Sequence, residues 1–241
     1  MTKNYSPITD KDIFDIENSF YLLSDPYRIG KLLGQYEIYK RIVNIPGSIV
    51  ECGVFKGISL VRWMTFRHAL ETAESRKVIG FDAFGDFPLE GLSRGDDLSF
   101  ASTHDDESGG AGIAKEMLAS FLTQKHFTNF DLIKGNVADT LPKYFKTHEH
   151  ERISLLHLDM DVYEPTKMAL DLLIDRIVPG GVIVIDDYGT VSGATDAVDE
   201  LISDHPNREF TLQRAQFYKV PAFIVVNQKK YSHATCLDTL V

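Results

Sequence analysis

Five short runs of β-branched and aliphatic residues recur along the chain, each followed by a stretch long enough to form a helix, and this rhythm leaves few folds open. The runs are 48–53 (SIVECG), 77–82 (KVIGFD), 130–135 (FDLIKG), 153–159 (ISLLHLD) and 181–187 (GVIVIDD). Apolar runs without polar alternation suit strands buried on both faces, and crossover helices between them make the sheet parallel. Two further runs, 209–215 (EFTLQRA) and 222–228 (AFIVVNQ), lie too close together for a crossover, so the spacing predicts an antiparallel hairpin. Helices are expected at about 29–44, 57–73, 113–126, 164–178 and 193–205. Pro165 near the start of the fourth and Pro179-Gly180-Gly181 at its end are read as its boundaries.

One connection breaks the rhythm. Residues 86–112 are rich in Gly, Ser and Asp, and 86–107 holds seven acids against Arg94, a balance of −6. Such a stretch is too long for an ordinary loop. It reads either as a solvated or disordered insertion or as an active-site lid over the strand ends. With 241 residues and no linker or repeat, the chain is expected to be a single domain, 1–241, with an N-terminal helical extension over about 1–46.

A formal net charge of −10 disfavours nucleic acid or an anionic membrane as the main partner and favours a cation or a cationic cofactor. Cys52 and Cys236 make neither a disulfide framework nor a multi-cysteine metal site. The N-terminus, MTKNYSPITDKD, has no apolar signal core, and the expected location is the cytoplasm.

Chemistry concentrates at the strand ends. The first strand runs into Glu51-Cys52-Gly53-Val54-Phe55-Lys56-Gly57, whose small residues let backbone N–H groups approach a ligand at a helix start. The spacing differs from the G-x-G-x-x-G of NAD-binding folds, which argues against a dehydrogenase. Glu51 at the end of a buried strand needs a partner. The second strand ends in Asp82, where a nucleotide ribose would present its hydroxyls.

The fourth and fifth strands end in Leu158-Asp159-Met160-Asp161 and Ile185-Asp186-Asp187-Tyr188. Carboxylates converging from neighbouring strands repel unless protons or a cation offset them, and hard oxygen donors suit Mg²⁺, Mn²⁺ or Ca²⁺ better than zinc. Asp161-Val162-Tyr163-Glu164 has capping-box spacing, so Asp161 is expected to cap the following helix and Asp159 to be the ligand. His157, inside the strand, is read as a satisfied core histidine.

With those residues in view, the chain resembles the macrocin O-methyltransferase (TylF/MycF) family. The matching segments are Val50 to Gly57, Asp82 to Pro88, Thr140-Leu141-Pro142, Leu158 to Thr166 and Pro179 to Tyr188. The resemblance implies a class I methyltransferase fold, a Rossmann-like doubly wound sheet, mostly parallel with a C-terminal antiparallel hairpin. It implies S-adenosylmethionine held by Glu51, Gly53, Gly57 and Asp82, and Mg²⁺ held by Asp159, Asp186 and Asp187. Asp159 is the candidate base, the acceptor a hydroxyl of a small sugar-containing molecule, and a homo-oligomer is compatible with the chain. Competing readings are a catechol-type metal-dependent methyltransferase and a non-catalytic glycan- or nucleotide-binding module.

Overall fold

In the computed structural model, which describes residues 10–217 and 220–229, the strand runs assemble into one seven-stranded sheet. Two N-terminal helices, α1 (Asp10–Leu23) and α2 (Tyr27–Ile42), precede β1 (Ser48–Cys52) and α3 (Ile58–Leu70). There follow β2 (Val78–Asp82), α4 (Gly95–Glu107), α5 (Lys115–Gln124), β3 (Phe130–Lys134) and α6 (Val137–Thr147). Next come β4 (Ile153–Leu158), α7 (Tyr163–Leu173), β5 (Ile177–Ile185), α8 (Ser192–Asp204) and the hairpin β6 (Arg208–Arg214) and β7 (Ala222–Lys229). The order across the sheet is β3-β2-β1-β4-β5-β7-β6. Pairs among the first five strands are parallel, whereas β7 runs antiparallel to both β5 and β6.

All five residues of β1 are buried, as expected for a strand covered on both faces. Alternate side chains divide between two cores. Ile49, Leu155 and Val184 face α2, α3 and α5 through Ile38, Trp63 and Leu118. Val50, Leu156 and Ile183 face α6, α7 and α8 through Leu141, Leu170 and Val198. Chain order reverses between β1 and β4, which opens a crevice at their carboxyl ends.

Several elements differ from expectation. Pro179-Gly180-Gly181 lies inside β5, not at a helix end: α7 stops at Leu173, a 3₁₀ turn spans Ile174–Arg176, and the strand begins at Ile177. Gly180, at φ +85°, accommodates the irregularity that shifts the β4–β5 register between Ile153 and Leu155. Residues 86–112 are not structureless, since α4 occupies Gly95–Glu107 within them. The α6 helix is also additional, and Pro142 stands inside it. Residues 1–9 of the expected N-terminal extension and Cys236 lie outside the described residues.

Candidate active site

The crevice is built by hydrogen bonds that carry the sheet one residue past its strands. Gly53 N donates to Phe81 O at 3.0 Å, Asp159 N to Cys52 O at 2.9 Å, and Asp186 N to Leu158 O at 3.1 Å. Gly53 adopts φ +88°, and a Cβ there would lie 1.8 Å from Asp159 O. Only glycine fits, because the backbones leaving β1 and β4 meet at this point.

Asp82 closes the same turn from β2. Its Oδ2 accepts Val54 N at 2.8 Å and Phe55 N at 2.9 Å, while Oδ1 accepts Phe84 N. A carboxylate offers about four acceptor positions, so one remains on Oδ1. Phe55 and Phe84 both sit at φ +50°, a strained geometry for a bulky residue that these bonds stabilise.

Glu51 and Gly57 lie apart from the cavity wall. Glu51 is fully buried between β1 and α3, where it accepts the Ser59 hydroxyl and keeps Oε2 without a partner. Gly57 is the left-handed residue that starts α3, and a Cβ there would press 2.7 Å from Leu118 Cδ1.

His157 is buried and satisfied on one side only, where its Nδ1 accepts the Trp63 Nε1–H at 3.3 Å. Its Nδ1 is 3.5 Å from Glu51 Oε1, its Nε2 is 3.9 Å from Asp186 Oδ1, and Nε2 has no hydrogen-bond partner. Burial opposes its charged form, yet the Asp186 and Glu51 carboxylates outweigh that and raise its pKa to about 10. The ring meets Trp63 edge-on at 5.5 Å.

Beyond the strand ends the acids fall into two overlapping groups, with Asp186 in one and Asp187 in the other. Donor atoms of His157, Asp159 and Asp186 lie within 4.8 Å of one another, and so do those of Asp159, Asp161 and Asp187. Asp159 belongs to both groups. Asp161 is no helix cap: α7 has Val162 at its N-cap position without a side-chain bond, and Asp97 of α4 accepts Tyr163 N at 2.8 Å instead. The glutamate of the expected capping box, Glu164, turns to Ser93 N and Oγ. At φ +64°, Asp161 is bent back toward the acids.

Burial, then the Asp186 and Asp187 charges, pushes the Asp159 carboxyl well above the usual range. Burial followed by the Asp161 and Asp186 charges does the same to Asp187. Asp186 goes the other way: burial would raise it, but His157 and Lys31 outweigh burial and hold it ionised. Lys31, from the second turn of α2, places Nζ 2.6 Å from Asp186 Oδ2. Gly30 and Gly34 let α2 pack against the backbone before β7, with Phe217 O and Gln216 O each 3.0 Å from where a Cβ would stand. No spacing signal linked Lys31 to the strand-end acids.

Glycine turn and acids open into one cavity of about 450 Å³, within the range of small-molecule sites. Gly53, Asp82, Asp159 and Asp186 line it, as does Asp161. The 86–112 segment supplies Asp86, Phe87, Pro88, Glu90, Gly91, Leu92, Ser108 and Gly112, so it forms a wall of the cavity and is not a solvated appendage. Asp187 reaches the acid cluster from outside the lining. The unpartnered Asp186 Oδ1 and the hard oxygens of Asp159, Asp161 and Asp187 are donors of the kind that fits a hard divalent ion, in two overlapping groups that share Asp159.

Residues 35–209 match the family model described as Macrocin-O-methyltransferase (TylF). The chain belongs to that family. Among curated relatives, demethyldecarbamoylnovobiocin O-methyltransferase of Streptomyces niveus is 29% identical over 167 residues, 65% of this chain and 58% of that protein. Mycinamicin III 3''-O-methyltransferase of Micromonospora griseorubida is 28% identical over 166 residues, 67% of this chain and 63% of that one. The chain thus spans about three-fifths of the length of the curated relatives it matches.

In three dimensions it is similar to the O-methyltransferase NovP, with a TM-score of 0.70 at 21% identity over 83% of this chain and 81% of that one. For the calicheamicin methyltransferase CalS11 the TM-score is 0.67 at 23% identity, covering 92% and 87%. The fold of this TylF-family chain is therefore the class I methyltransferase fold, as the strand pattern and the resemblance led us to expect.

Proposed function

We propose that the protein is an S-adenosylmethionine-dependent, divalent-metal-dependent O-methyltransferase acting on a hydroxyl of a sugar carried by a small molecule. The observation that carries this reading is the junction of Gly53 with the Asp159 carbonyl, which puts the cofactor turn and the acid cluster in one cavity. Family membership and relatives named for sugar-bearing natural products support it.

S-adenosylmethionine supplies the methyl group, and a divalent ion, Mg²⁺ by preference, lowers the pKa of the hydroxyl beside it. Asp159, Asp186 and Asp187 would hold that ion; Asp159 has donor atoms near Asp186 in one group and near Asp161 and Asp187 in the other. Asp82 would accept a ribose hydroxyl on the free position of Oδ1, while Gly53 lets the turn after β1 pass against the Asp159 backbone at the cavity wall. Asp159 removes the hydroxyl proton as the oxygen takes the methyl, so the products are an ether and the neutral thioether of the cofactor. The wall contributed by 86–112 acts as a lid that excludes water and positions the acceptor. Glu51 supports the site from behind through Ser59 and His157.

The test is transfer of isotope-labelled methyl from S-adenosylmethionine to panels of glycosides, nucleotide sugars and catechols, with and without chelator. Metal-restorable labelling of sugars is the expected result. Labelling of catechols alone would move the acceptor class, cofactor binding without any transfer would indicate a binding module, and full activity in chelator would remove the metal.

A further inference from the structure

Lys31 is the only lysine or arginine among the described residues that line the cavity. It lies ahead of the 35–209 stretch that matches the family model, on a helix packed on one face of the sheet. Its ammonium hydrogen-bonds Asp186 Oδ2 and is also attracted by Asp159 and Asp187, while 21% of its side chain stays open to solvent. A cation of the chain's own therefore stands against the donor set that fits a divalent ion. Its compensation is partial: one ammonium engages one carboxylate oxygen, and Asp186 Oδ1 keeps no hydrogen-bond partner, with His157 Nε2 standing 3.9 Å away. Two cations on the same carboxylate repel, and in a buried site that repulsion is only weakly screened.

We propose that Lys31 is a tethered counter-cation that competes with the divalent ion for Asp186, keeps the metal affinity of the site low, and withdraws along its flexible stem when the ion enters. The proposal rests on the metal-dependent reading above. Without metal, Lys31 keeps the carboxylates from expelling one another and the strand ends stay assembled. When metal binds, the stem's partial exposure gives the ammonium a route toward solvent and the cavity. Metal loading then involves displacing an internal charge as well as filling a site.

The experiment strips the full chain with chelator and titrates Mn²⁺ calorimetrically into wild type, Lys31→Met and Lys31→Arg, following thermal unfolding in parallel. Lys31→Met is expected to bind Mn²⁺ at least tenfold more tightly than wild type, and Lys31→Arg to stay near wild type. Chelated Lys31→Met should melt below chelated wild type, and saturating Mn²⁺ should raise its melting temperature by the larger increment. Binding by Lys31→Met where wild type shows none also supports competition. Equal or weaker binding by Lys31→Met, with wild type binding, overturns the Lys31 proposal and leaves the metal reading standing. No binding by any of the three overturns both. Should Lys31→Met not fold, Lys31→Gln, which keeps a polar tip without charge, is judged by the same criteria.

Discussion

At the scale of single residues the site depends on one backbone contact and a division of labour among three aspartates. Gly53→Ala puts a methyl group into Asp159 O and a side chain into a left-handed conformation. Overpacking of about 1–3 kcal/mol and left-handed strain of about 1–2 kcal/mol add here. A folded Gly53→Ala with an unchanged melting temperature would contradict the tight junction. Asp97, not Asp161, caps α7, so Asp97→Ala should cost about 0.5–2 kcal/mol by chemical denaturation. Asp161→Asn should weaken Mn²⁺ binding by calorimetry, whereas Asp159→Asn should abolish metal-dependent methyl transfer in a folded protein. Metal affinity untouched by Asp161→Asn, with a large loss of stability, would return Asp161 to the capping role. Asp82→Ala leaves Val54, Phe55 and Phe84 N–H groups without their acceptor. A hundredfold or greater loss of cofactor affinity is expected, on the order of two charge-assisted hydrogen bonds, and it acts through the turn as well as the ribose.

Among the elements, α4 and its flanks matter most, because the flanks wall the cavity and α4 ties them to α7 and α8. Arg94 lies over the Tyr163 ring at 3.5 Å and pairs with Asp196, Ser93 bonds Glu164, and Asp97 caps α7. The Arg94–Asp196 pair is substantially exposed and contributes little, whereas the Asp97 cap is buried and contributes more. Hydrogen exchange over 89–112 should be fast in the free protein and slow once cofactor and acceptor are both bound. Strong protection in both states would make this segment a fixed wall. Its composition reads as loop because Gly95, Asp96, Asp97 and Ser99 are poor helix formers, and docking on α7 and α8 overrides that preference. The α6 helix was hidden similarly: Pro142 reads as a breaker, but Leu141, Tyr144 and Phe145 bury a common face and Asn136 caps the first turn.

Across the whole molecule, Arg76 joins the end of α2 to the sheet. Its buried guanidinium pairs with Glu71 and donates to Ile42 O, Ile45 O, Gly47 O and Ser154 Oγ. Tyr39 OH also donates to Glu71. Removing one partner leaves a buried charge unpaired, so Arg76→Ala should destabilise by about 3–5 kcal/mol in urea unfolding. A loss below about 1 kcal/mol would mean that α2 docks through apolar contacts alone. Because α2 carries Lys31, this anchor also fixes where that ammonium enters the acid cluster.

What the amino-acid sequence determined by itself is what local pattern and strand chemistry can encode. Apolar runs bounded by helix-length segments specify a parallel doubly wound sheet, and acids at the ends of β2, β4 and β5 must meet at its carboxyl edge, since parallel strands all finish on one side. The glycine turn and the nearness of Asp159 to Asp186 and to Asp187 were legible for that reason. Tertiary structure alone decided the rest. Whether Asp161 capped a helix or joined the acids depended on Asp97, 64 positions earlier in the chain, taking the capping position first. How far His157 was satisfied depended on Trp63 of α3, which donates to Nδ1, and on Asp186, which stays 3.9 Å from Nε2. Lys31 entered the site because two glycines let α2 lie close to the segment before β7. Such contacts join residues far apart in the chain, and neither periodicity nor spacing records which side chain arrives first at a shared donor or charge.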